Sequence, residues 1–304
     1  MRAIFLRAVP AAFFCVVAGV LFASDTSPLP VEVLIHTYGP FVLNPGLQQM
    51  PPGMQVTFPD DLWVVGYHTE TVDKAGLPSS RELQCHTYLG TSMPAHHSHD
   101  TVDGLFTDGY TPGLDLPPGF GIRVNAGEKL LWTPMFNNRN NDSVVVSMRL
   151  ELKVLRGKES SPPLEPLEMT FRSVHEPDLY MAPPGTSVES TDLTLPAGHT
   201  IHVIGTHIHP YGQSIELVNT QRHETVWKAV GTRGADGKLV SMPLYSDSAG
   251  YPIKPGDRFE LIATYNNPTQ HLVDAMAGVF ILYSDDANSR QPASSAGNLA
   301  TSSK

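Results

Sequence analysis

Two histidines stand two positions apart at the end of an apolar run in "VIGTHIHPYGQS" (203–214). In an extended strand residues i and i+2 share a face, so His207 and His209 point the same way, about 6–7 Å apart along the chain. Imidazoles so placed can converge on one metal ion. Met276, in the apolar run "DAMAGVFILY" (274–283), would add a thioether. Two imidazole nitrogens and one soft sulfur suit copper, because thioethers favour Cu(I) and imidazole binds copper generally, whereas methionine is not among the usual ligands of zinc. Each feature also has a plain structural reading. Paired strand histidines are commonly incidental, and strand methionines commonly fill gaps in a core.

A second group, "MPAHHSHD" (93–100), places His96, His97 and His99 with Asp100 in a short polar stretch. Two or three of these side chains could bind Cu(II) or Zn(II), although histidine-rich loops also take up metal adventitiously. The other histidines have no convergent spacing, and strand parity directs His202 to the face opposite His207. Other chemistries find little footing. The chain contains no GxSxG, no Walker loop, no CxxC and no HExxH. Asp60-Asp61 and Asp285-Asp286 adjoin turns and read as solvated.

The elements that must carry these ligands are strands. Runs such as "VEVLIHTY" (31–38), "DLWVVGYHTE" (61–70), "KLLWTPMF" (129–136), "SVVVSMRLELKVL" (143–155), "TIHVIGTHIH" (200–209) and "RFELIATYNN" (258–267) are rich in β-branched and aromatic residues. Gly, Pro, Asn or Asp bound most of them, and no long segment has a capped 3.6-residue period. The expectation is an all-β protein. "IRVNAGEKLLWTPMFNNRNNDSVVVSMRLEL" (122–152) is echoed by "YPIKPGDRFELIATYNNPTQHLVDAMAGVFILY" (251–283). Gly127 with Gly256, and Asn137-Asn138 with Asn266-Asn267, recur at one offset. This predicts two related β-sandwich domains in tandem, residues 27–155 and 169–284. The charged, proline-rich residues 156–168 would link them, and the small polar residues 285–304 would form a disordered tail.

The N-terminal residues 1–23 read as a secretory signal: Arg2 and Arg7 precede a short apolar run broken by Pro10, and small residues follow. The protein is therefore expected to be secreted or periplasmic, with no membrane attachment once residues 1–23 are removed. Their loss takes two positive charges from a chain whose formal charge is already −10, which gives no electrostatic reason to bind nucleic acid. It also leaves Cys85 as the only cysteine of the two in the sequence. That thiol is either buried and inert or a soft metal ligand.

"THIHPYG" (206–212), preceded by "LPAGHTIHV" (195–203) and followed by "DAMAGVFILY" (274–283), resembles the copper type II, ascorbate-dependent monooxygenases. These are the peptidylglycine and dopamine hydroxylases and their bacterial relatives. The resemblance covers roughly residues 60–284 and implies two tandem antiparallel jelly-roll domains. It further implies an oxygen-activating copper held by His207, His209 and Met276 as the catalytic centre. The activity would be hydroxylation of a C–H bond in a small-molecule or peptide substrate, using O2 and a reductant such as ascorbate. The family holds a second copper in its first domain with an adjacent His-His pair and a third His. Here the corresponding stretch "QCHTYLG" (84–90) carries Cys85 and His86, and "LWTPMFNN" (131–138) carries Met135. Cys85, His86 and Met135 are soft or borderline donors that could still take Cu(I). A non-catalytic copper-binding protein that keeps one mononuclear site is the alternative, and a recognition module with a structural metal or none is a third.

Overall fold

The computed structural model describes residues 30–91, 104–157, 163–175, 180–235 and 238–286. Residues 1–23, the His96, His97 and His99 group and nearly all of the expected tail lie outside the described residues. The described chain is all-β, as expected; one short 3-10 turn, Arg81–Leu83, is the exception to strand and loop. The residues up to Pro166 form two sheets. In one, the strands Glu32–Leu43, Val144–Arg156, Leu62–Val72, Phe120–Val124 and Glu165–Pro166 lie side by side, with Gly113–Asp115 also paired to Leu62–Val72. In the other, Leu47–Gln49 and Met54–Thr57 pair with Lys129–Asn138, which is followed by Gln84–Gly90 and Gly104–Asp108. The C-terminal half has its own two four-stranded sheets. One runs Glu168–Ser173, Ala277–Asp285, His199–Ile208, Tyr245–Ile253 and the other Gly185–Leu193, Phe259–Asn267, Gly212–Asn219, Glu224–Val230.

The described C-terminal end of the expected linker is built into the N-terminal half. Glu165–Pro166 pairs in parallel with Phe120–Gly121, and Leu167 is buried in the N-terminal core. Pro166 is tolerated because it lies on an edge strand, where no ladder donor is needed.

The internal echo is repeated in hydrogen bonds. Asn138 Nδ2 donates to Leu43 O at 2.9 Å and to Asp142 O at 2.9 Å, while its Oδ1 accepts from Asn140 N at 3.1 Å. Asn267 Nδ2 donates to Ala182 O at 3.0 Å and to His271 O at 2.7 Å, while its Oδ1 accepts from Thr269 N at 2.9 Å. In both halves the amide thus ties off the turn after a long strand and satisfies carbonyls that would otherwise be buried unpaired. The glycine turns also match: Gly127 and Gly256 have φ of 76° and 87°, in the left-handed region that glycine enters freely. Replacing Asn267 by Ala should cost about 2–3 kcal/mol, because Ala182 O and the N–H of Thr269 lose the amide as partner. The exposed neighbour Asn266→Ala should stay within about 0.5 kcal/mol of the parent. Urea denaturation of the two variants checks the contrast.

Two strands of one C-terminal sheet, His199–Ile208 and Ala277–Asp285, are buried on both faces. Along Ala277–Asp285, Val279, Ile281 and Tyr283 enter the C-terminal core, while Phe280 and Leu282 enter the N-terminal core. A continuous apolar run is what a strand between two cores needs. The neighbouring strand His199–Ile208 divides likewise: Ile204 and Ile208 face their own core, and Val203 faces the N-terminal half. A β-bulge at His202 interrupts its pairing with both neighbours. The extra residue resets the parity, so His202 does not point away from the face that bears His207. Its ring packs on Phe120 of the N-terminal half, centroids 4.0 Å apart. His202 is still no ligand, because Asp247 O and Ser284 Oγ occupy both of its ring nitrogens, each at 3.0 Å.

Candidate metal centre

The outward row of the His199–Ile208 strand ends at the seam between the halves. His207 pairs across the ladder with Gly278, which has no side chain to cover it. The N–H of His209 donates to Met276 O at 3.0 Å, which continues the register and sets Met276 opposite His209. Residues directly opposite share a face, so this register supports the expected side for Met276. The imidazoles are edge to face, with centroids 5.3 Å apart. His207 is 2% and His209 4% exposed.

The third group at these imidazoles comes from the other half. Cys85 Sγ lies 3.9 Å from His209 Nε2, and one ligand atom from each of Cys85, His207 and His209 lies within 4.8 Å of the other two. A sulfur and a nitrogen bound to one ion at tetrahedral to trigonal angles are roughly 3.5–3.8 Å apart, given ordinary bond lengths. The trio therefore needs little movement to close on a cation. Cys85 reaches the seam because the Gln84–Gly90 strand bulges there. Gln84 pairs with Phe136 and His86 with Met135, which leaves Cys85 as the extra residue.

Carboxylates orient both imidazoles. Asp108 Oδ2 accepts from Nδ1–H of His207 at 3.1 Å. Asp108 is itself fully buried, and its Oδ1 accepts from the backbone N–H groups of Tyr110 and Thr111. The bonded Nδ1 leaves Nε2 as the ligand atom of His207, and that atom is buried without a hydrogen-bond partner. Asp274 Oδ2 lies 2.8 Å from Nδ1 of His209. Backing a metal-binding imidazole with a carboxylate fixes its tautomer and raises its basicity. Burial alone would lower the His207 pKa, but Asp108 and Cys85 outweigh it and raise the group to about 9. Burial likewise would raise Asp274, yet His209, Arg139 and His207 hold it below the ordinary carboxylate range. Surroundings that retain a proton on His207 are surroundings that suit a cation.

Of the set Cys85, His86 and Met135, Cys85 lies in the cluster with His207 and His209, while Met135 pairs across the ladder with His86. His86 stacks on Phe106 at 5.4 Å and meets the His207 ring edge-on at 5.1 Å, outside the Cys85–His207–His209 cluster. Met135 stays beside Cys85 through Gln48, whose Nε2 lies 3.6 Å from Cys85 Sγ and 3.7 Å from Met135 Sδ. Sequence reasoning missed Asp108, Asp274 and Gln48. Asp108 opens a D-G turn after an apolar strand and Asp274 precedes Met276 by two residues, and both patterns are shared by many solvated turns. Asp108→Asn should weaken metal binding by roughly 10–100-fold while the fold persists, since an amide can still accept the two backbone bonds. Competition against a chromophoric chelator measures it.

No protein-family model matches the chain, and no curated protein matches it. Among solved structures, the chain is similar to the PBSX exported protein XepA at 9% identity, over 83% of this chain and 86% of that one, with a TM-score of 0.16. It is also similar to the infectious bursal virus derived T=1 particle at 11% identity, over 86% of this chain and 80% of that one, with a TM-score of 0.15. At these TM-scores neither likeness bears on function.

Proposed function

We propose that the protein binds one copper ion between its halves through Cys85, His207 and His209, and that it carries copper or electrons rather than hydroxylating a substrate. The carrying observation is the convergence of one thiol and two buried imidazoles whose Nδ1 atoms face carboxylates. Thiolate with two imidazoles and a more distant thioether or amide is the donor set of copper electron-transfer sites. Met276, opposite His209, supplies such an outer donor. Zinc accepts the same trio but gains nothing from thioethers.

The hydroxylase reading, with O2, ascorbate and a catalytic His207–His209–Met276 centre, needs room for a substrate. His207 and His209 are buried, and the depression beside them is lined by residues such as Glu82, Tyr110, Asn137 and Arg139. The tandem jelly-roll winding, the domain limits and export with loss of residues 1–23 belong to the same proposal. Copper analysis of the reconstituted protein should give one ion per chain, with no ascorbate-dependent oxygen uptake. Two ions per chain with ascorbate-dependent uptake would replace this reading by the hydroxylase.

A further inference from the structure

We infer that Cu(I) reaches the buried cluster through Met135, which acts as an outer receiving thioether, and that the Gln48 side chain gates the step from Met135 to Cys85. The inference rests on the copper reading above and concerns how the site is filled.

Exposure falls in order along one line of donors. Gln48 is exposed on the short Leu47–Gln49 strand, Met135 is half-buried, and Cys85, His209 and His207 are 8%, 4% and 2% exposed. The Gln48 amide is within reach of both sulfurs, at 3.6 Å to Cys85 Sγ and 3.7 Å to Met135 Sδ, so it contacts the outer donor and the inner one together. The strand register holds this arrangement in place. Gln48 pairs with Asn137 and His86 with Met135, so Gln48, Met135 and the Cys85 bulge lie on adjacent strands. A half-buried thioether here adds little to a core, and Met135 belongs to neither apolar cluster. Thioether selects Cu(I) and binds it reversibly, and thiolate binds it more tightly. Donor strength therefore rises as exposure falls, which is the order that draws an ion inward.

The step is a ligand exchange. The Met135 sulfur–copper bond breaks as the Cys85 sulfur–copper bond forms, copper remains Cu(I), and the Cys85 proton passes to solvent. The Gln48 amide must turn aside for the exchange, since it donates to the sulfur that receives the ion.

The test is stopped-flow transfer of Cu(I) from its bicinchoninate complex to the metal-free full chain, read by loss of the chelate colour, with Zn(II) uptake as a parallel measurement. Met135→Leu keeps the volume and removes the sulfur. It should slow Cu(I) uptake several-fold, leave the final copper stoichiometry at the parent value and leave Zn(II) uptake unchanged. Gln48→Ala should speed Cu(I) uptake. Equal slowing of Cu(I) and Zn(II) by Met135→Leu would mark a structural role and overturn the inference, as would parent-like Cu(I) kinetics. Slowing by Met276→Leu in place of Met135→Leu would overturn it as well. Failure of the parent protein to retain Cu(I) would sink the copper reading itself, a result separate from all of these.

Discussion

Replacing Cys85 by Ala should abolish the thiolate-to-copper charge-transfer absorption of the Cu(II) protein and weaken copper binding by more than the roughly 10–100-fold that loss of an outer partner costs. Cys85 sits 3.9 Å from His209 Nε2 and is, among the described residues, the only thiol beside the two imidazoles. Its loss takes away one of three convergent donors and the only one that ionises to bind. The metal-free variant should fold with a stability deficit of about 1 kcal/mol, the ordinary cost of a small buried change. Copper at 100 times its dissociation constant should add about 2.7 kcal/mol to the parent protein and far less to the variant. The same experiment separates a centre shared between the halves from one confined to the first half. In a shared centre, His207→Ala also loses the charge-transfer band. In a centre made of Cys85, His86 and Met135, the band survives His207→Ala and disappears with His86→Ala. Survival in His207→Ala would therefore discard the arrangement described above.

Most of the scaffold was legible because strand formation is a local matter. The runs "SVVVSMRLELKVL" and "RFELIATYNN" became Val144–Arg156 and Phe259–Asn267 nearly residue for residue. The repeated Asn-Asn turn was legible too, since a buried amide that satisfies three backbone groups must recur wherever its turn recurs. Two things depended on information that is not local. Parity failed at His202 because a bulge inserts one residue, and nothing in "HTIHVIG" marks where the ladder breaks. The position of Cys85 beside His207 and His209 is not legible locally, because the chain neighbours of Cys85 lie in the other half. A ligand set drawn from the outward face of one sandwich and a bulge in the other is invisible to a reading made one domain at a time. The apolar run "AMAGVFILY" did contain the clue. A strand without polar alternation has no solvent face, so its outward side had to meet something, and what it meets is the half that bears Cys85.

That shared seam leads to the second large effect, a loss of about 3–5 kcal/mol on Phe280→Ala, the usual range for removing a fully buried aromatic ring. Phe280 is wholly buried and, although it belongs to a C-terminal strand, it packs in the N-terminal core. Its ring lies 5.6 Å from Phe106, which is stacked on Phe171 at 4.9 Å and lies 5.9 Å from His207. Opposite it, Gly205 leaves the space the ring occupies: a Cβ there would stand 1.9 Å from Phe280 Cζ. Gly205→Ala should accordingly be destabilising from the opposite direction, by about 1–3 kcal/mol of overpacking. Because the removed ring ties a C-terminal strand to the N-terminal core, both halves should feel the loss. Trp132 reports on the N-terminal core and Trp227 packs against the C-terminal one. In urea their fluorescence should change at one common midpoint, shifted equally in Phe280→Ala. Copper affinity should fall with stability, since Phe106 loses a neighbour beside His207. If instead the midpoints separate, with only the C-terminal one moved, the halves are independent folding units. The centre would then have to be held together by the ion, not preformed by the protein.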